Sequence, residues 1–456
     1  MIIFSWKILF KRKKYERNVL SMKNKVIQKN QKGVTLVALV ITIIVIIILS
    51  TVTIDLAFGN NGLIKRAQLA KDMAANSTTA EQEEMNRVME EFTNIMEEDN
   101  EITVPDEPDL PEGWNGEKVT PVESADGVTV PVPIGYTASE ATGENSVNDG
   151  FVIYEGIEVV NDGNVTTAKT KRNQFVWIPV SDISQIANQT SGTDGNGRQN
   201  YQGKLYDFST TGATEMSNYG QGTTSYREPD IVTGSNGTSY DGSSTYLSIL
   251  GLSSSSEFKT QLQEEFNEMI ESVDTYGGFY IGRYETGNLA ESPNTKPVVV
   301  KGNSSICNVN WYYQYQNSKL IGANNNVVST MIWGSMFDRA LIWLTETGDK
   351  TYSDLMNSSS WGNYSDSTGA AATNSGSKQP TGTNDAWQAN NIYDLAGNVY
   401  DWTIEADLTS HRVLRGGYSG SVGSSLPASS RNLNNPSNTG SYNGSRSALF
   451  VALNSD

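Results

Sequence analysis

Residues 34–50, VTLVALVITIIVIIILS, carry no charge, and the apolar character runs on to Ile54 before Asp55 interrupts it. At about 1.5 Å per helical residue such a run reaches across the ~30 Å hydrocarbon core of a bilayer. A water-soluble domain has no comparable place for it. Ten Lys and Arg and a single acid, Glu16, precede it in residues 1–33, leaving 23 basic against 50 acidic residues after Gly33. Positive charge flanking a span stays inside, so the N-terminus is expected in the cytoplasm and the acidic remainder outside the cell. The same imbalance, −18 over the whole chain, argues against nucleic acid as a partner, since phosphate neutralisation needs clustered Lys and Arg.

The junction sharpens this expectation. Lys32-Gly33-Val34-Thr35-Leu36 joins a basic stretch to an apolar helix through one glycine, and it resembles the leader of type IV pilins and related prepilins. The resemblance implies cleavage between Gly33 and Val34 by a prepilin peptidase. It departs at Ala38, where pilins usually carry the glutamate that meets a neighbouring subunit's amino terminus, so export and processing are better supported than polymerisation. A start at Met22 gives a leader of ordinary prepilin length. A membrane span without processing is the plainer alternative.

Beyond the span (34–54), residues 55–99 read as an amphipathic stalk helix. Met85, Val88, Met89, Phe92, Ile95 and Met96 recur at helical spacing beside Glu-rich flanks. Six prolines between Pro105 and Pro133 make 100–135 an expected extended linker, because proline removes a backbone donor and fixes φ. From 136 to 456 the chain alternates short strand-like runs (QFVWIPV at 174–180, GFYIGRY at 278–284) with helical patterns at 257–272 and 330–345. The stretch 185–255, dominated by Ser, Thr, Gly, Asn and Tyr, reads as inserted surface loops. Strands and helices without a βαβ rhythm predict an α+β head.

NIYDLAGNVYDWT (391–403), RVLRGGYSGS (412–421) and GSRSALFVAL (444–453) resemble the formylglycine-generating-enzyme/sulfatase-modifying-factor family. That resemblance implies a C-type-lectin-like fold, shared with the variable proteins of diversity-generating retroelements, which bind ligands rather than catalyse. The family's oxidative chemistry needs a cysteine pair beyond the RGG turn. This chain has one cysteine, Cys307, and one histidine, His411, so no enzymatic activity is expected. The resemblance also implies a structural calcium held by Asp394, the carbonyls of Gly397 and Val399, and Asp401. Hard oxygen donors of this kind suit Ca²⁺. The alternative is that both aspartates cap turns and satisfy loop amides.

Residues 416–447 contain no Lys, Asp or Glu and are rich in Ser, Gly, Asn and Tyr, the residue types adaptable paratopes favour. Tyr418, Asn432, Asn434, Asn435, Asn438, Tyr442 and Asn443 are the expected ligand contacts, with Arg431 and Arg446 as scaffold. The same composition in 185–255 shows that it also marks ordinary polar loops. The combined reading is a surface-displayed binding or adhesion protein taking an extracellular protein or glycan. In the retroelement variable proteins this terminal segment is diversified, which would make the chain a retroelement target. Alternatives are a minor pilin or pseudopilin subunit, or a divergent enzyme of the family.

Overall fold

Strict alternation inside an unbroken apolar run decides the architecture. In the computed structural model the run QFVWIP forms a strand whose odd and even residues enter two different cores: Val176 and Ile178 one, Phe175 and Trp177 the other. Side chains of a strand point alternately to opposite faces, so a run apolar at every position must be covered on both. The structure describes residues 110–216, 226–234, 240–288, 295–305, 307–322, 325–407 and 410–453. The leader with its Gly33–Val34 junction, the apolar span, the stalk and residues 100–109 lie outside these. Among the described residues no helix is long and apolar enough to cross a membrane.

The first elements are β1 (Val119–Glu123), β2 (Thr129–Pro133), β3 (Tyr136–Ala138), β4 (Val152–Glu155), α1 (Val165–Lys171) and β5 (Gln174–Pro179). Next come β6 (Ala187–Thr193), β7 (Gln199–Gly203), β8 (Tyr206–Ser209), β9 (Gly212–Glu215), β10 (Tyr226–Arg227), α2 (Ser244–Leu250), α3 (Ser255–Tyr276) and β11 (Gly278–Gly282). Then follow α4 (Trp311–Ser318), β12 (Val327–Met331), α5 (Gly334–Glu346), α6 (Tyr352–Met356), β13 (Gln388–Ala389) and β14 (Ile392–Tyr393). The chain closes with β15 (Tyr400–Asp407), β16 (Arg412–Arg415), β17 (Arg431–Asn434), β18 (Asn443–Ser445) and β19 (Ser447–Val451).

Six strands form an antiparallel sheet in the order β12-β19-β11-β5-β4-β3. A second sheet runs β10-β15-β16-β17, with β18 parallel to β15. The larger core lies on one face of the six-stranded sheet. There α3 contributes Phe258, Leu262, Phe266, Met269 and Ile270, and α5 contributes Met336, Phe337, Ala340, Leu341 and Leu344. Helix α3 starts where the Ser254 hydroxyl accepts from the Glu257 amide and ends at Gly277, whose φ of +77° suits a left-handed terminus. The fold is α+β.

Three sequence expectations change. Pro121, Pro131 and Pro133 sit in a hairpin, β1–β2, rather than an extended linker. Pro121 lies opposite Pro131 and Val119 opposite Pro133, every proline falling on one alternate set of pairs, where no ladder amide is needed. This hairpin lays Val130 and Val132 over the second face of the large sheet. Within 185–255, two ribbons, β6–β7 and β8–β9, and the helix α2 replace the expected loops. Asn267 of α3 ties the first ribbon down, accepting from the Tyr201 amide at 3.0 Å and donating to Asp194 Oδ2 at 3.0 Å. Met331, expected in a helix, ends the strand β12, because VVSTM is β-branched and pairs with β19.

Candidate functional site

The AGNVYDW stretch makes a tight buried loop between β14 and β15. Asp394, Gly397 and Asn398 all have positive φ, +55°, +79° and +60°. A Cβ on Gly397 would stand 2.1 Å from the Asn363 carbonyl oxygen, so only glycine fits this close approach of two backbones. Asp394 accepts from the Thr381 hydroxyl and the Gly382 amide through Oδ2, both at 2.8 Å. Asp401 Oδ2 accepts from Arg446 Nε at 2.9 Å. Arg446 also donates to the carbonyls of Gly282 and Tyr393, each at 2.9 Å, tying the loop to β11 and β14.

A third acid, missed in the sequence, faces the same loop. Glu285, just past β11, accepts from the Val399 amide at 3.1 Å, from Asn398 Nδ2 at 2.6 Å and from the Ser305 hydroxyl. Burial, then the charges of Asp394 and Asp401, push its carboxyl well above the usual range. Burial raises Asp394 to about 6 and raises Asp401 as well. The only hint in the sequence was an acid three residues past the apolar strand GFYIG.

One buried arginine, Arg446, is paired with Asp401 and acts on Glu285 and Asp394 through its charge alone. Net negative charge away from water must be met by protons or by a cation. Asp394 Oδ1 and Asp401 Oδ1 are buried and have no hydrogen-bond partner. Among the described residues no set of three or more His, Cys, Asp or Glu is gathered to hold a metal. The carbonyls of Gly397 and Val399 would therefore have to complete the shell. Two buried carboxylate oxygens without a hydrogen-bond partner are donors of the kind a hard, oxygen-preferring cation takes.

The RGG turn is held from below by a buried ion network. Arg415 donates to Asp338 Oδ1 at 2.8 Å, and Arg431 pairs with Asp338 Oδ2. Arg431 Nε also reaches Glu405 Oε1 at 2.8 Å, and its Nη1 reaches the Tyr206 carbonyl at 2.6 Å. The Tyr206 amide in turn donates to Asp338 Oδ2 at 2.8 Å. Helix α5, strands β16 and β17 and the second ribbon thus meet on one aspartate, and β15 joins through Glu405 on Arg431.

Above this network lies the face expected to bind ligand. The Tyr400 and Tyr418 rings are 5.1 Å apart and Tyr418 and Tyr442 4.8 Å apart, centroid to centroid. Asn432 Nδ2 donates to the Tyr400 hydroxyl at 2.9 Å. Tyr418, Asn432, Asn434, Asn435 and Tyr442 are half-buried, and Asn438 is exposed. Asn443 lies buried in β18, 5% exposed, which removes it from the surface set. Its register opposite Tyr400 on the parallel neighbour β15 explains the burial. Asn432 and Asn434 also have backbone work, since their Oδ1 atoms accept from the amides of Leu433 and Asn435, both at 2.9 Å.

The single thiol is not part of this face. Cys307 is buried, and burial pushes its thiol up to about 12, so it carries almost no thiolate at neutral pH. His411 is paired through Nδ1 with Asp407 Oδ2 at 2.9 Å.

No protein-family model and no curated protein matches this chain. Among solved structures it is similar to PvdO from Pseudomonas aeruginosa, at 19% identity over 39% of this chain and 82% of that one, with a TM-score of 0.27. It is similar to CarF at 13% identity over 39% and 87%, TM-score 0.26. It is also similar to Treponema denticola variable protein 1 at 13% identity, covering 60% of this chain and 95% of that one, TM-score 0.23. Likeness at this level assigns no family. The description of the fold rests on the chain's own strands and cores.

Proposed function

We propose that the chain is a non-catalytic binding or adhesion protein, displayed on a bacterial surface by the prepilin-like span 34–54 after cleavage between Gly33 and Val34. Its head has a C-type-lectin-like, formylglycine-generating-enzyme-like fold, and an extracellular ligand is held by the face built from 416–442. The observation that carries this reading is the tyrosine cluster. Among the described residues the Tyr418 and Tyr442 hydroxyls have no hydrogen-bond partner, and both side chains are half-buried. Two aromatic side chains fixed by their neighbours, with free polar tips, offer contact area at low entropic cost. One buried cysteine and one histidine already paired with an acid leave no thiol pair for the family's oxidation.

Adhesion tests it. Cells displaying the full chain should adhere to the ligand-bearing surface. The double variant Tyr418→Ala/Tyr442→Ala should lose at least ~100-fold in binding, as two interface aromatics each worth about 2 kcal/mol would. Unchanged adhesion at unchanged thermal stability would refute the assignment of the face.

The same reading gives calcium a structural role. Asp394, Asp401 and the carbonyls of Gly397 and Val399 would hold the ion, which would neutralise the buried acids and lock the loop. A chelator should then lower the melting temperature and added Ca²⁺ restore it, as a ligand bound only by the folded state must do. A melting temperature indifferent to both would show that protons, not calcium, balance the acids.

A further inference from the structure

Resting on the binding face proposed above, we infer that its ligand is an uncharged, hydroxyl-rich molecule, a neutral oligosaccharide, and not an extended peptide. Three independent features of the face point there.

The first is charge. The face has no Lys, Asp or Glu in 416–447, and both of its arginines are spent below the surface. Arg431 is paired with Asp338 and Glu405, and Arg446 with Asp401. Within 416–447 a sialylated, sulfated or phosphorylated ligand would find no unpaired cation, and burying its anion there would be costly. Lys378 stands at the rim, its ammonium 3.4 Å from the Ser441 carbonyl.

The second is the state of the edge strand. Among the described strands β17 ends its sheet, and an edge normally offers free amides to which a peptide adds as a further strand. Here the Leu433 and Asn435 amides are already taken by the Asn432 and Asn434 side chains. Asn434 Oδ1 is further engaged by Asn438 Nδ2 at 2.6 Å. Two of the donors that strand addition needs are thus occupied by the very residues that line the edge.

The third is what remains open. Tyr418 and Tyr442, both half-buried, present ring surface and, among the described residues, unpartnered hydroxyls. A pyranose has flat apolar C–H faces and a rim of neutral hydroxyls. Rings can cover the former, while phenol and amide groups pair the latter without a charge being desolvated.

The test is the full chain in detergent micelles, measured by calorimetry against neutral oligosaccharides, their sialylated and sulfated counterparts, and extended peptides. Neutral oligosaccharides should bind, at least ~10-fold tighter than the acidic forms. Tyr418→Phe and Tyr442→Phe, which keep the rings, should each weaken binding several-fold at unchanged melting temperature, and the alanine variants more. Binding confined to acidic glycans or to peptides, or no binding of any neutral oligosaccharide, would overturn the ligand class. If the tyrosine variants abolish the binding of such a peptide or acidic glycan, the face stands and only the ligand is wrong. If they leave whatever binding exists untouched, the face itself is wrong.

Discussion

Replacing Asp338 with alanine should destabilise the head by about 4 kcal/mol or more, because removing one partner of a buried ion pair strands the other. Here one carboxylate serves two guanidiniums. Arg415 and Arg431 both reach it, and all three side chains are nearly inaccessible, with 0%, 6% and 0% exposure for Arg415, Arg431 and Asp338. Glu405 cannot take over, since its Oε2 lies 3.8 Å from Arg415 Nη1 and its Oε1 is held by Arg431. The Tyr206 amide would lose its acceptor as well. Urea unfolding followed by tryptophan fluorescence measures the loss. Asp338→Asn, which keeps volume and an acceptor, should cost clearly less. A loss under about 1 kcal/mol for the alanine variant would show that the network does not hold the RGG turn.

The second large effect concerns pH. Glu228, beside β10, accepts from the Gly334 and Ser335 amides at 2.7 and 2.8 Å. Full burial, then the nearby Glu405, nonetheless push its carboxyl up from 4.5 to about 8. The amides alone favour the ionised form, so here desolvation outweighs them. A carboxyl that binds its proton more tightly when folded contributes its full stability below pH 4.5 and loses it as the pH climbs to about 8. The expected loss across that window is roughly 2–4 kcal/mol, allowing for relaxation of the site. Glu228→Gln should be more stable than the native chain at pH 8 and should flatten this part of the profile. Glu285 and Asp394 titrate in the same direction, so the difference between variant and native protein is the quantity to read. Parallel profiles would mean that Glu228 is ionised throughout.

The legible parts of this fold were those where one local rule suffices. QFVWIPV and GFYIGRY announced buried strands, and the apolar spacing of 257–272 announced α3, because burial on both faces and on one stripe leave different periods. The hairpin β1–β2 was hidden by its prolines. Whether a proline breaks a strand depends on which alternate pair it occupies, and that is fixed only by the partner strand. The ribbons of 187–215 were hidden because their stabilising contacts, such as Asn267 with Tyr201, come from a helix far along the chain.

At the candidate site the same division holds. Asp394 and Asp401 stood out by motif. Glu285 did not, since nothing local shows that the third residue past β11 folds against the 394–401 loop. Asn432 and Asn434 were chosen as ligand contacts by composition. That rule cannot see that each also closes an amide of its own edge strand. Asn443 failed for a related reason: its parallel pairing with β15 is a long-range contact.

Everything proposed for the face requires that the head meet solvent outside the cell, and covalent labelling of intact cells tests this most directly. Lys259 and Lys296 expose 59% and 55% of their side chains. A membrane-impermeant amine reagent applied to living producer cells should modify both, and the head should be released by mild external protease. If these lysines are labelled only after lysis, the head lies on the inner side of the membrane and cannot be a surface receptor.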